Sequence, residues 1–263
     1  TNEQVIAEVS MAVFNVPKNQ IIVIKRLMGG MSNYTYVIRV KDGLYTFRIP
    51  GKNAEKFVDR TIETTNIDLI SSLALNNNTI YLDPITGYKI AEYIDGQPLS
   101  ELNPMDHLTD AATVLHTIHD SKLQAVNDYD PQGRLAYYES HLEEFNYTHT
   151  ERYLALKERW NKLRSLYMDP SRICLCHGDS QISNFVVTKN GLRLMDWEFT
   201  GNNDPFYDIA CFGNSDFAHA FALLPVYLGK EPTLENGINY TSLERSNVYN
   251  GIMLHYIKTS LCS

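Results

Sequence analysis

Residues 185–196 constrain the fold of this chain more than any other stretch. Phe185-Val186-Val187-Thr188 and Leu192-Arg193-Leu194-Met195-Asp196 are apolar and β-branched runs on either side of Lys189-Asn190-Gly191. An Asn-Gly pair between two such runs is the strongest short-range hairpin signal. With a three-residue loop and a left-handed Gly191, Thr188 faces Leu192 and Asn184 faces Asp196. With a two-residue Asn190-Gly191 turn, Phe185 faces Asp196. Both registers return Asp196 to the level of Asn184, about 5 Å away across the ladder.

The residues leading into this hairpin, Cys176-His177-Gly178-Asp179-Ser180-Gln181-Ile182-Ser183-Asn184, place an aspartate five positions before an amide. That is the H-x-D-x-x-x-x-N spacing of a kinase catalytic loop. Such a loop offers a base for an acceptor hydroxyl and an oxygen ligand for Mg²⁺, with a later Asp as second metal ligand. A hard cation needs clustered oxygens of this kind.

Bulk properties narrow the remaining classes. A chain of 263 residues with 44% hydrophobic and 21% charged residues is an ordinary globular protein able to bury a sizeable core. Its formal net charge of −8 disfavours nucleic-acid and anionic-membrane partners, which need a basic footprint, and suits a cationic ligand. The apolar stretches at 21–24 and 217–228 are shorter than the ~18 residues of a membrane span, so membrane insertion is not expected. The N-terminus lacks a basic-then-apolar signal pattern. Cys174, Cys176, Cys211 and Cys262 fit neither a zinc pattern nor a disulfide framework. Cys174 and Cys176 alternate along a strand and read as small buried apolar residues on one face. A cytoplasmic location is the expectation.

Periodicity predicts a helix over 2–14, strands over 21–27, 34–40 and 44–49 with a hairpin at Asp42-Gly43, a helix over 54–75, and strands over 79–82 and 88–93. Helices are expected over 105–119, 138–147, 154–168, 216–228 and 242–261, with the segment 206–212 left unassigned. Strands with one helix, followed by helices with one hairpin, give a two-lobed α+β fold with the boundary after residue 94: a β-rich lobe over 1–94 and a larger, mainly helical lobe over 95–263. His116 and His119 lack the further ligands of a metal site and read as structural. Trp160 reads as core, and His177 as a holder of loop backbone.

At this point the residues resemble a family. The segments HGDSQISNF (177–185), LMDWEF (194–199) and NNDPFYDIACF (202–212) are similar to the signature of the choline/ethanolamine kinase family, especially bacterial choline kinases, with the aminoglycoside phosphotransferases as wider relatives. GGMSNYTY (29–36), YTFRIPG (45–51), DRTIE (59–63) and AEYIDGQPL (91–99) extend the likeness over most of the chain. The resemblance implies a protein-kinase-like fold using ATP and Mg²⁺. In it, Asp179 is the catalytic base, Asn184 and Asp196 hold metal, and Glu198, sharing a strand face with Asp196, steadies a metal-bound water or the substrate ammonium. Arg48 stands where a kinase strand offers its phosphate-pairing Lys, with Glu63 as its orienting partner. Gly30, Ser32 and Asn33 contact nucleotide, and adenine meets the backbone of Glu92, Tyr93 and Ile94. Asp208 supports the catalytic loop.

The implied acceptor is a small cationic alcohol such as choline. A quaternary ammonium has no N–H donor and is recognised by aromatic faces and negative charge. The Trp pair that choline kinases place near the C-terminal helix has no counterpart in 247–256, since the two tryptophans are Trp160 and Trp197. Phe199, Tyr207, Tyr249 and Tyr256 either form a substitute cage or pack as core. An aminoglycoside-type phosphotransferase and a non-catalytic binding module on a kinase fold are the alternatives.

Overall fold

Thr1 opens the first helix with a capping box: its hydroxyl accepts from the Gln4 N–H while the Gln4 side chain accepts from the Thr1 amine. In this computed structural model the described residues are 1–28, 33–52, 54–56, 58–143, 148–167 and 170–229. Contacts divide the chain into two units, Thr1–Gly96 and Gln97–Ser263.

The first unit is an antiparallel sheet with two helices. Helix α1 (Asn2–Phe14) precedes strands β1 (Ile21–Leu27), β2 (Asn33–Val40) and β3 (Gly43–Pro50), then α2 (Arg60–Ile70), β4 (Thr79–Leu82) and β5 (Lys89–Glu92). The strand order is β1-β2-β3-β5-β4. Alternation decides which residues reach which side. Ile38, Val40, Phe47, Ile49 and Ile90 join Ile6 and Val16 in one core beneath α1. Arg48, between Phe47 and Ile49, therefore points to the opposite face, where α2 contributes Glu63.

The helix expected over 54–75 is shorter. Asp59 caps it by accepting from the N–H groups of Thr61 and Ile62, so α2 starts at Arg60, and Ala54–Lys56 forms a separate 3₁₀ turn. A left-handed Ala74 closes the 3₁₀ turn that follows α2.

The second unit runs β6 (Gln97–Pro98), α3 (Leu108–His119), α4 (Pro131–Glu143), α5 (Glu151–Tyr167), β7 (Cys174–Cys176), β8 (Phe185–Thr188), β9 (Gly191–Leu194), β10 (Gly201–Asn203), α6 (Phe206–Phe212) and α7 (Phe217–Leu228). Strands β6, β8 and β9 form one sheet in that order, and β10 pairs with β7. Helix α6 is buried over its whole length. Trp160 is buried with Tyr129, Leu135, Tyr207 and Cys211.

Three helices differ in their starts. The segment expected as a helix from 105 begins as a 3₁₀ turn over Pro104–His107, because Asn103 caps it there, and α3 follows. Helix α4 begins seven residues before the expected 138: Asp130 accepts from the Gln132 N–H, and Pro131 occupies the first turn, where its missing N–H costs nothing. Helix α5 starts at Glu151 rather than 154. The helix expected over 242–261 lies outside the described residues. Among those described, no helix is long and apolar enough to cross a membrane.

The hairpin register matches neither expectation. Thr188 pairs with Gly191 and Phe185 with Leu194, so the turn is Lys189-Asn190 and Gly191 begins β9 at φ +105. The Thr188 hydroxyl accepts from the Asn190 N–H and donates to the Gly191 carbonyl, which favours this tighter turn. Met195 therefore stands opposite Asn184, its N–H donating to the Asn184 carbonyl at 2.9 Å, and Asp196 lies one residue beyond.

Candidate active site

In the second unit, β7 delivers the chain into the loop at His177. Gly178 has φ +81, and a Cβ there would collide with the carbonyl oxygen of Phe199, so only glycine fits. Asp208 on α6 fixes the loop from below. It accepts from the N–H of His177 at 2.8 Å and of Gly178 at 2.9 Å, and its own carbonyl accepts from the Ser180 hydroxyl. His119 Nε2 meets the same carboxylate at 3.0 Å, and its Nδ1 meets the Tyr227 hydroxyl at 2.8 Å. Complete burial works against the Asp208 charge, but the His119 hydrogen bond and the neighbouring histidines and N–H groups outweigh it and hold the carboxyl below its ordinary value.

His177 ties the loop to the hairpin. Its Nδ1 accepts from the Asp179 N–H at 3.1 Å, so the ring proton sits on Nε2, which donates to the Met195 carbonyl at 2.9 Å. Both nitrogens are thus spent on backbone. His116 and His119 likewise end on Tyr227, Asp120 and Asp208.

Asp179 emerges from this scaffold only 6% exposed. Its Oδ2 lies 3.3 Å from Gln181 Nε2 and 3.5 Å from Asn184 Nδ2, while its buried Oδ1 has no hydrogen-bond partner. A buried carboxylate oxygen left unmatched costs stability, which marks it as a group kept for another purpose. Asn184 Nδ2 donates to the Asp179 carbonyl at 2.8 Å, leaving the amide oxygen as its acceptor end. Asp196 is half-buried and left-handed at φ 65. The Asn184 amide oxygen, the Asp196 carboxylate and the Asp179 carboxylate are all hard oxygen donors, the set that suits Mg²⁺. Among the described residues, the one group of three close His, Cys, Asp or Glu donors is His119, Cys176 and Asp208, fully buried; the Asp208 oxygens there already serve the loop N–H groups.

Glu198 is buried but sits in a turn, not on a strand. The expected face shared with Asp196 is therefore absent, because the ladder ends at Leu194 and the chain turns at Asp196. Phe199 and Tyr207 do lie in one aromatic cluster, with the Tyr207 hydroxyl 3.1 Å from that of Tyr129. Burial, with the Tyr129 hydroxyl beside it, pushes the Tyr207 phenol well above its ordinary value. The cation against Phe199 is one the sequence reading passed over: the Arg134 guanidinium lies 4.4 Å from its ring centroid. Tyr249 and Tyr256 lie outside the described residues.

The first unit holds a separate charged cluster. Both Nη atoms of Arg48 bond Glu63, at 2.5 and 2.9 Å, and Nη2 also reaches the Gly87 carbonyl at 3.2 Å. Arg60, which the sequence reading did not single out, adds a bond of 2.7 Å to Glu63 Oε2 and reaches Asn33 Oδ1 at 3.3 Å. Its position three residues before Glu63 on a helix was the signal available. Burial of Glu63, 1% exposed, would raise its pKa. The Arg48 charge and hydrogen bond, with Lys89 and Arg60 beyond, reverse this and lower it from 4.5 to about 2. Gly30 and Ser32 lie outside the described residues. The Glu92 N–H donates to Asn78, the Glu92 carbonyl accepts from Asn77 Nδ2, and the Tyr93 N–H donates to Leu44, so these groups are engaged within the chain.

Comparison with known proteins adds family to geometry. The profile of the choline/ethanolamine kinase family matches residues 24–227. Protein LicA of Haemophilus influenzae is 26% identical over 192 residues, covering 70% of this chain and 55% of that protein, so the match spans little more than half of the relative's length. Among solved structures, choline kinase LicA from Streptococcus pneumoniae superposes with TM-score 0.72 at 22% identity, covering 98% of this chain and 91% of that one. A choline/ethanolamine kinase family protein from Mesorhizobium loti gives TM-score 0.76 at 22% identity, covering 98% and 84%. The architecture is the kinase-like α+β fold.

Proposed function

The chain belongs to the choline/ethanolamine kinase family, and on that footing we propose that it transfers the γ-phosphate of ATP to the hydroxyl of a small alcohol, choline or a related amino alcohol. Residues 1–94 bind nucleotide, and residues 95–263 supply catalysis and acceptor recognition. The observation that carries this reading is the Asp179 Oδ1 atom: a buried carboxylate oxygen without a partner, on a loop pinned by Asp208 and His177.

Asp179 orients the acceptor hydroxyl and takes its proton as the hydroxyl oxygen bonds to the γ-phosphorus and the bond to the β–γ bridging oxygen breaks, releasing ADP. Asn184 and Asp196 are the residues that would hold Mg²⁺. When bound, the ion would neutralise charge on the phosphates. Glu63 keeps the Arg48 guanidinium in a fixed orientation, so that its charge meets the phosphates with little reorganisation. Glu198 offers a buried carboxylate to the acceptor ammonium.

The test is ADP release with ATP and Mg²⁺ across choline, ethanolamine and several aminoglycosides. Turnover is expected with an amino alcohol and is expected to vanish in Asp179→Ala. Undiminished turnover in that variant sinks the assignment of the base. Turnover confined to aminoglycosides replaces the acceptor class.

A further inference from the structure

The aromatic cluster of the second unit is already occupied by a cation. Arg134, half-buried on α4, places its guanidinium carbon 4.4 Å from the Phe199 ring, 5.4 Å from Tyr129 and 5.9 Å from Tyr138, and its Nε donates to the Tyr138 hydroxyl at 2.8 Å. All three distances fall within the ~6 Å reach of a cation–π contact. A guanidinium is planar and weakly hydrated, so it stacks on ring faces more readily than an ammonium, and it keeps its charge at every ordinary pH.

This box adjoins the candidate base. Phe199 is the residue whose carbonyl forces glycine at position 178, immediately before Asp179. Tyr207, hydrogen-bonded to Tyr129, immediately precedes Asp208, whose carboxylate holds the loop that carries Asp179. Of the rings that the sequence offered as a cage for the acceptor, Phe199 therefore already carries a cation from within the chain, and Tyr207 packs in the same cluster.

We propose that Arg134 sets acceptor specificity by occupying the Phe199–Tyr129–Tyr138 box, so that a quaternary ammonium finds these rings taken. A second cation at the same faces meets repulsion from the first and loses the ring contact. An amino alcohol with N–H groups has another route, since a carboxylate accepts from them directly. Glu198, buried, already engaged within the chain and next to Phe199 in sequence, is the carboxylate such a group would recruit. The acceptor class favoured is thus a primary or secondary amino alcohol over its quaternary counterpart. This discrimination rests on the amino-alcohol reading above, whereas the occupancy of the box does not.

The test separates the two. Tetramethylammonium, which reports the rings without any chemistry, and choline and ethanolamine are titrated by calorimetry into the wild type and into Arg134→Met, Arg134→Gln and Arg134→Lys. Met and Gln remove the charge, and Gln keeps a donor for Tyr138, so it decides the matter if Met fails to fold. Lys keeps a cation. Removal of the charge is expected to tighten tetramethylammonium and choline roughly 3- to 30-fold, the range of one recovered cation–π contact. Ethanolamine is expected to move less, and Lys to stay near wild type. Unchanged or weaker tetramethylammonium binding in both neutral variants overturns the proposal. If no amino alcohol is phosphorylated by the wild type, the activity reading falls while the tetramethylammonium titration still decides the role of Arg134.

Discussion

The loop at Asp179 and the cluster at Glu63 both bury a carboxylate, and they treat it in opposite ways. Glu63 has its oxygens matched by two guanidinium groups, with Lys89 adding charge beyond them. Asp179 is held through its backbone, by the His177 ring and the Asn184 amide, and one side-chain oxygen is left without a partner. The first arrangement spends a charge on structure. The second spends neighbouring groups on posture and keeps the charge in reserve. A candidate base is therefore recognised here by what it lacks, and a structural carboxylate by what it has.

The contrast breaks first, and most visibly, at Asp179. Asp179→Asn is expected to cut kcat by about 10²- to 10⁴-fold, the span of general-base catalysis, while the melting temperature holds or rises because no native bond to Oδ1 is lost. A large fall in melting temperature would place Asp179 with the structural carboxylates.

Glu63→Ala should behave in the reverse sense. It removes the carboxylate that Arg48 and Arg60, both buried, share, which costs about 3–5 kcal/mol in the manner of a broken buried pair. Urea unfolding measures it. A loss below about 1 kcal/mol would show that the clamp contributes orientation alone.

The pH dependence is the finer probe. Because the folded-state pKa of Glu63 is depressed from 4.5 to about 2, its contribution is complete above the unfolded value and is lost as pH falls through that window. The amount is on the order of 3 kcal/mol. Stability curves for wild type and Glu63→Gln should converge as pH drops from about 4.5 toward 2, and parallel curves would contradict the shift.

Sequence periodicity carried the elements well, since a core beneath α1 or around Trp160 leaves a repeating apolar imprint. It carried the hairpin but not its register. Lys189-Asn190-Gly191 is compatible with several turns, and a Thr188 hydroxyl bonded at both ends of the turn selects among them. The start of α4 was written in Asp130-Pro131, a capping signal outweighed by the later apolar spacing. Arg60 and Arg134 were hidden for a different reason. On a helix each reads as a solvated charge, and only contact with Arg48's partner, or with a ring 65 positions away in the chain, gives it a role. Pairwise matches of that kind leave no local trace.

Asp196 carries one more consequence. Its φ of 65 is a conformation that asparagine and aspartate tolerate and most other residues resist. Alanine or glutamate there would disturb the main chain and the carboxylate together, and any lost turnover would have two explanations. Asparagine keeps the bend and removes only the charge, so the backbone itself dictates which substitution gives an interpretable experiment.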